Sequence, residues 1–191
     1  YALKSLKNYM SNNNLCDPLQ SVYKPLHSTE TALLKVKGDI MQHLSNRQGV
    51  FLVLLDLSAA FDTVTHKILL KRLATDLGVG GTVLKWFESY LTGRTTRVCI
   101  DGTFSKSHPL NYGVPQGSLV GPTCFTIYTS QIGLIINKFP LLSYHVYADD
   151  IQLYINFNPS DQASISRALS QLSSCICEIK NWMTMNNVTI K

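Results

Sequence analysis

The chain has 191 residues, of which 45% are hydrophobic and 15% are charged, and its formal net charge is +5. This composition is typical of a folded globular domain and excludes an intrinsically disordered chain. The longest apolar runs, at residues 50–55 and 132–136, are too short to cross a bilayer, so we expect no membrane partner. The modest positive charge permits a polyanionic partner without requiring one.

The five cysteines are an odd number and include no CxxC pair. Neither a disulfide framework nor a zinc knuckle fits this pattern. We therefore expect a reducing intracellular setting and no disulfide-linked partner. The chain begins at Tyr1, with neither an initiator Met nor a secretory signal, and we expect it to be a piece of a longer protein.

The first 26 residues are mixed in character, and the asparagines at positions 12–14 indicate a loop. A helix with Ser28 as its N-cap is predicted next, because apolar residues recur at helical spacing. Those residues are Leu33, Val36, Ile40 and Leu44. Residues 51–55 read FLVLL, a continuous apolar run that predicts a strand buried on both faces and ending at Asp56.

Two further helices are predicted, separated by glycines 78, 80 and 81, with Asp62 and Thr63 as caps for the first. Residues 95–100 and 103–112 predict two strands joined at Asp101-Gly102, a common hairpin signal. A loop at 113–117 and a helix over 118–138 follow, then a long amphipathic helix over 165–183 and a strand starting near Val188. This order of helices and largely antiparallel strands predicts an α+β fold.

Residues 147–150 read YADD and lie between two apolar, aromatic-rich runs, so the acidic pair falls at the tip of a predicted hairpin. Adjacent carboxylates repel one another unless a cation neutralises them, which indicates a divalent metal site. The alternative is an ordinary turn, since Asp side chains bond nearby backbone. Asp56 also has two interpretations, a metal ligand or an acid paired with a buried Lys.

Three segments carry a family resemblance: LLDLSAAFD at 54–62, GVPQGS at 113–118 and YADD at 147–150. In order and spacing they resemble the catalytic motifs of reverse transcriptases, and the likeness to non-LTR (LINE-type) retrotransposons extends from about residue 20 to the end. The resemblance implies a fingers–palm fold with an antiparallel palm sheet packed on helices and the thumb missing. Residues 1–191 are then a reverse transcriptase domain fragment, with 1–50 mainly fingers and 51–191 fingers and palm.

The resemblance also implies site residues. Asp56, Asp149 and Asp150 match the catalytic carboxylates that bind two Mg²⁺ ions, with Mn²⁺ as an alternative. Phe61 matches the steric gate that selects deoxynucleotides, and a core aromatic is its other interpretation. The remaining substrate-binding positions implied by the resemblance are Gly113, Gln116 and Gly117 around the nucleotide, Tyr147 near the primer end, and Lys24 in the fingers.

The segment QSVYKPLHSTE at 20–30 resembles the fingers motif of LINE-type enzymes but departs from it. Lys24 stands where the family typically has Arg, and it offers only a point charge to a phosphate. Val22 and Leu26 stand where Gly is common, which stiffens or displaces the loop. Arg94 and Arg97 either contact template phosphates or lie on a solvated strand edge. His66 near Asp62 suits a cap-region contact better than an acid–base pair.

The function implied is RNA-directed DNA polymerisation, with an RNA template, a DNA primer and dNTPs as partners. The expected location is intracellular, in nucleus and cytoplasm, as a retroelement ribonucleoprotein. The alternative is a catalytically inactive retroelement remnant that acts at most as a nucleic-acid-binding or structural module. Because the family's thumb and a downstream Lys would lie past residue 191, we expect this fragment alone to be weak or inactive.

Overall fold

The computed structural model describes residues 2–58, 61–115 and 117–190. Its helices are α1 (Ala2–Asn12), α2 (Thr29–Ser45), α3 (His66–Thr75), α4 (Gly81–Leu91), α5 (Gly121–Thr129), α6 (Gln131–Ile136) and α7 (Gln162–Met185). Its strands are β1 (Gly49–Ser58), β2 (Thr95–Thr96), β3 (Cys99–Ile100), β4 (Thr103–Phe104), β5 (His108–Pro109), β6 (Ser143–Tyr147), β7 (Asp150–Phe157) and β8 (Thr189–Ile190). The α+β prediction is confirmed; α1 was not predicted.

The central sheet has four strands in the order β6-β7-β1-β8, and every neighbouring pair is antiparallel. Strands β1 and β7 pair over their length, from Gly49 opposite Phe157 to Asp56 opposite Asp150. The predicted hairpin of β6 and β7 and the predicted last strand are both confirmed. The sheet therefore joins the two acidic segments of the sequence at one end of adjacent strands.

The two faces of this sheet have different surroundings. Leu153 and its neighbours on one face belong to the buried core with α5, α6 and α7. The other face carries Tyr154, whose hydroxyl donates to Asp39 of α2, because side chains alternate along a strand. Leu52 and Leu54 lie on this second face and are 45% and 70% exposed. The prediction that β1 is buried on both faces is thus wrong, since α2 covers only part of the second face.

Helix α2 begins as predicted, with Ser28 as its N-cap and a capping box completed by Thr31. Helix α3 begins later than predicted, because its N-cap is Thr65. Asp62 and Thr63 lie in a turn and a bend before it, so they do not cap this helix. A bridge between Thr65 and Tyr112 holds the start of α3 against the segment before Gly113. Tertiary pairing therefore fixes this helix start.

The predicted continuous helix over 118–138 is wrong, because it is two helices with a break at Ser130. Its start moves to Gly121, whose N–H donates to the Ser118 hydroxyl over 3.0 Å. At the break, the Ser130 N–H bonds to the Ile127 carbonyl, three residues back. Gly133 in α6 has no room for a side chain, since an added Cβ would meet the Asp17 carboxylate at 2.3 Å. The redirected helix thus packs against the loop that follows α1.

The predicted strand pair around Asp101 and Gly102 forms a hairpin, but with shorter strands than expected. Between its two short ladders, the Val98 N–H donates to the Ser105 hydroxyl over 3.0 Å. A side chain there replaces a backbone acceptor and interrupts the ladder. Pro109 also lacks the N–H that a longer strand would need. Among the described helices, none is long and apolar enough to cross a membrane.

Candidate active site

The acidic residues predicted for the metal site lie together at the end of the sheet. Asp56 of β1 is directly opposite Asp150 of β7, and Asp149 occupies the adjoining turn. Directly opposite residues of antiparallel strands have Cβ atoms about 4.5–5.5 Å apart, and like charges there are destabilising. Asp56 and Asp149 are half-buried, and Asp150 is exposed. Asp56 and Asp150 therefore place negative charge at one edge of the sheet, on the face that carries Leu54.

The donor set of this cluster suits a hard divalent cation, because every ligand atom is a carboxylate oxygen. Across residues 2–58, 61–115 and 117–190, no three His, Cys, Asp or Glu side chains form a group that could hold a metal ion by themselves. Mg²⁺ commonly binds through one or two carboxylates and completes its shell with water and substrate phosphates. Asp56 and Asp150 therefore fit an open site of this kind and not a closed protein cage.

The predicted nucleotide loop packs on the segment that follows β1. The Gly113 N–H donates to the Val64 carbonyl over 2.8 Å, and the Gly113 carbonyl bonds to Nε2 of buried His66 over 2.7 Å. Gly113 has φ +83°, and an added Cβ would lie 3.1 Å from the Asp62 backbone. This close approach and left-handed conformation both require glycine. His66, the first residue of α3, thus contacts this loop.

Phe61 lies between Asp56 and this loop in the sequence, and two contacts fix it. Its ring stacks on buried Phe125 with centroids 4.9 Å apart, and its carbonyl accepts the Val114 N–H over 2.9 Å. Gly117 has φ +77° and open space around its Cα. The prediction for Gln116 lies outside the described residues. The bond between Phe61 and Val114 therefore holds Phe61 next to Gly113.

Lys24 lies in the loop between α1 and α2. Its ammonium group donates to the Asp17 carbonyl over 2.7 Å and to the Pro18 carbonyl over 3.3 Å. Leu26, where the family commonly has Gly, has φ +64° and is 99% exposed. The loop thus keeps a left-handed residue although the sequence supplies Leu.

Two residues near the turn were missed in the sequence analysis. Gln20 is 8% exposed, and its side-chain amide bonds to the backbone of Ala148. Partial burial raises the pKa of Tyr23, and Asp149 and Tyr147 raise it further. Tyr147 itself pairs with Asp150. Two sequence signals pointed to this region: Gln20 and Tyr23 lie in the segment that resembles the fingers motif, and Ala148 occupies a position of a two-residue hairpin turn that usually needs glycine.

Arg94 and Arg97 lie outside this cluster, on the surface that follows α4. The Arg94 guanidinium lies 5.7 Å from the Tyr90 ring centroid, and that of Arg97 lies 4.7 Å from the Phe104 ring centroid. Both side chains are exposed, so either interpretation of these residues remains a prediction. Ile179, Trp182 and Met183 of α7 are buried, at 0%, 4% and 3% exposure, which agrees with the core positions that the amphipathic pattern indicates.

The fold and the acidic cluster together define a nucleotidyl-polymerase palm, and sequence comparison identifies its family. The profile described as "Reverse transcriptase (RNA-dependent DNA polymerase)" matches residues 1–191, so the chain belongs to the reverse transcriptase family. Reverse transcriptases as a family use a divalent metal.

Curated relatives place the chain among LINE-type polymerases, as its motifs predicted. The chain is 29% identical over 173 residues to the RNA-directed DNA polymerase from mobile element jockey of Drosophila melanogaster, covering 86% of this chain and 18% of that protein. It is 26% identical over 194 residues to the probable RNA-directed DNA polymerase from transposon BS of the same species, covering 95% and 20%. The chain thus spans about a fifth of the length of these relatives.

Solved telomerase structures share the fold. The apo telomerase from Candida tropicalis superposes with a TM-score of 0.67 at 11% identity, covering 100% of this chain and 35% of that one. Telomerase from Candida albicans, solved with a fragment of telomeric RNA, gives a TM-score of 0.65 at 15% identity, covering 91% and 31%. At such low identity the likeness shows the fold alone, and it confirms the predicted palm and fingers architecture.

Proposed function

We propose that this chain carries the catalytic centre of an RNA-directed DNA polymerase that extends a DNA primer with dNTPs on an RNA template. The observation that carries the proposal is the strand register that sets Asp56 opposite Asp150, next to Asp149 in the turn. Two Mg²⁺ ions bound there would activate the primer 3′-hydroxyl and neutralise the leaving pyrophosphate. Mn²⁺ is the alternative ion.

The protein's own part in the reaction is to position groups and present charge. Asp56, Asp149 and Asp150 hold negative charge at a fixed edge, which selects for cations and the phosphates they carry. The Gly113 backbone lies against the segment after β1, and an open space at Gly117 allows close approach of a ligand. Tyr147, paired with Asp150, is assigned to the primer end, and Lys24 to the fingers side of the nucleotide site.

Selection of deoxynucleotides is assigned to Phe61. Its ring is braced by Phe125 and its carbonyl by Val114, so it cannot easily move away from a bulkier sugar. Replacing Phe61 with Val should therefore raise ribonucleotide incorporation relative to dNTP incorporation. Retained discrimination in a folded Phe61→Val variant would leave Phe61 as an ordinary core aromatic.

The proposal is tested by primer extension on an RNA template with Mg²⁺, using the 191-residue chain and the same chain extended through the family's thumb, since the fragment alone is expected to be weak or inactive. Removing one carboxylate costs several kcal/mol of charge stabilisation, so Asp56→Asn and Asp149→Asn should each lower the rate by about 10²-fold or more. The matched control is Asp101→Asn, which removes an exposed acid at another hairpin tip. It should leave the rate unchanged.

A second measurement does not depend on turnover. Mg²⁺-dependent binding of a fluorescent dNTP should be lost in Asp56→Asn and retained in Asp101→Asn. If binding and extension are both indifferent to Asp56, the polymerase assignment is wrong. The intracellular location in nucleus and cytoplasm, as a ribonucleoprotein, belongs to the same proposal and would be tested by imaging the expressed protein.

A further inference from the structure

The turn that carries Asp149 has an unfavourable residue at its first position. Ala148 and Asp149 form a two-residue loop between the paired residues Tyr147 and Asp150. Ala148 has φ +58°, whereas Asp149 is not in the left-handed region. These signs match a type II′ turn, in which glycine is the preferred first residue. Alanine disfavours this conformation because its Cβ crowds the backbone, so the turn needs support from outside the hairpin.

Gln20 supplies that support. Its Oε1 accepts the Ala148 N–H over 3.1 Å and the Val22 N–H over 3.1 Å, and its Nε2 donates to the Ala148 carbonyl over 3.5 Å. One buried amide thus contacts both polar groups of the strained residue. The group is 8% exposed, so water cannot easily replace these bonds.

The segment around Gln20 is anchored to the same hairpin by backbone bonds. The Ser21 N–H donates to the Val146 carbonyl over 2.9 Å, and the Val146 N–H donates to the Leu19 carbonyl over 3.0 Å. Gln20 itself forms a parallel bridge with Val146. The distance between the Gln20 side chain and the turn is therefore set by this pairing, independently of the bonds to Ala148.

We propose that Gln20 is a positioning residue that holds Ala148 in its left-handed conformation, so that the carboxylates of Asp149 and Asp150 are kept in line with Asp56. This inference rests on the proposed function, since alignment matters only if the three carboxylates act together. The side-chain amide of Gln20 is bonded to the backbone of Ala148 and Val22, so Gln20 acts through the Ala148 peptide. Rotation of that peptide would redirect the two acids that follow it.

The test first removes the side-chain amide of Gln20. It then replaces Ala148 with a residue that adopts positive φ without support. Gln20→Met keeps the side-chain length and abolishes the bonds to Ala148, and Ala148→Gly makes positive φ accessible without help. Loss of support for one left-handed residue should raise the Mg²⁺ concentration for half-maximal extension by about 5- to 30-fold. Adding Ala148→Gly to Gln20→Met should restore this value to within about 2-fold of that of the unmodified chain, a rescue that a merely structural role of Gln20 would not give.

The control for simple destabilisation is Val22→Ala, which truncates a buried side chain in the same segment. It should lower the melting temperature without moving the Mg²⁺ dependence. An equal Mg²⁺ shift in Val22→Ala, or no rescue by Ala148→Gly, would overturn the proposal.

A readout without catalysis separates this inference from the proposed function. Amide hydrogen exchange at Ala148 should be slow in the unmodified chain and at least about 5-fold faster in Gln20→Met. If no Asp149-dependent extension occurs but exchange accelerates, the polymerase assignment fails and the support of the turn by Gln20 stands. If exchange at Ala148 is unchanged in Gln20→Met, the role of Gln20 is refuted whatever the enzyme does.

Discussion

Two hairpins in this protein carry an Asp at the tip, and they are built differently. The hairpin of β3 and β4 turns at Asp101 and Gly102, with φ +48° and +80°. These signs match a type I′ turn, for which Asp-Gly is a preferred sequence. In the hairpin of β6 and β7 the turn residues are Ala148 and Asp149. There the side chain of Gln20, which is distant in sequence, accepts a hydrogen bond from the Ala148 N–H. The first turn is specified locally, whereas the second depends on the tertiary fold.

An Asp residue at a hairpin tip can therefore have different structural roles in the two hairpins. Asp101 lies on an exposed hairpin with only two paired positions, and its positive φ is the conformation that the turn requires. Asp149 adjoins a five-position ladder that is itself paired with β1, and this pairing sets Asp56 opposite Asp150. The proposed metal site lies at the hairpin beside which a second strand contributes its own acid.

The largest expected difference between the hairpins is in stability. Leu153→Ala in β7 removes a fully buried side chain and should lower the free energy of unfolding by about 2–5 kcal/mol. Ile100→Ala in β3 truncates a side chain that is 68% exposed. This substitution should change the free energy of unfolding by no more than about 0.5 kcal/mol. Urea unfolding measures both. Equal costs would contradict the difference between the two hairpins.

The second-largest expected difference between the two hairpin tips is in the effect of divalent metal on the melting temperature. An ion that binds only the folded chain adds about 1.4 kcal/mol at ten times its dissociation constant. Mg²⁺ should therefore raise the melting temperature of the unmodified chain and of Asp101→Asn, but not of Asp150→Asn. A Mg²⁺ shift that survives in Asp150→Asn would place the bound ion elsewhere.

Turn strain gives a smaller effect. Ala148→Gly should raise the free energy of unfolding by about 0.5–1 kcal/mol, because relief of left-handed strain exceeds the added chain entropy of glycine. Asp101→Gly should change it by less than about 0.5 kcal/mol, since Asp tolerates this conformation better than Ala does. Thermal unfolding of Ala148→Gly, Asp101→Gly and the unmodified chain measures these changes. A larger gain at Asp101 would show that its turn is the more strained of the two.

The smallest effect concerns pH. Burial lowers the pKa of His145 in β6 below its ordinary value of 6.5, as do nearby positive charges. The groups that face it are Lys24, His27 and Lys35, with Asp17 opposing them. As pH falls below about 6.5 the unfolded chain is protonated first, so the stability contributed by the neutral ring, complete above that pH, is progressively lost.

His145→Gln should therefore lose less stability between pH 7.5 and pH 5 than the unmodified chain does. His108→Gln, in exposed β5, is the matched control and should follow the unmodified chain. Melting curves at the two pH values give the comparison. Identical slopes for His145→Gln and the unmodified chain would remove His145 as a source of acid sensitivity.

Much of the fold could be predicted because local signals were strong. The N-cap at Ser28, the long amphipathic pattern of α7 and the apolar, aromatic-rich runs on either side of YADD each depend on nearby residues, and the structure confirms them. The predictions were wrong where contacts between residues far apart in the sequence determine the local structure. Exposure of Leu54 depends on how far α2 extends over the sheet, and the break at Ser130 lies in a region where Gly133 meets Asp17.

The sequence by itself determined the family, because motif order and spacing are written directly in the chain, and it predicts the three carboxylates as the metal site. Only the tertiary structure decided that Asp56 lies opposite Asp150, since strand register is a relation between segments almost a hundred residues apart. It also decided how Ala148 adopts a conformation that its own chemistry disfavours. Hydrogen bonds from buried Gln20 hold that residue, and no local pattern in the sequence encodes them.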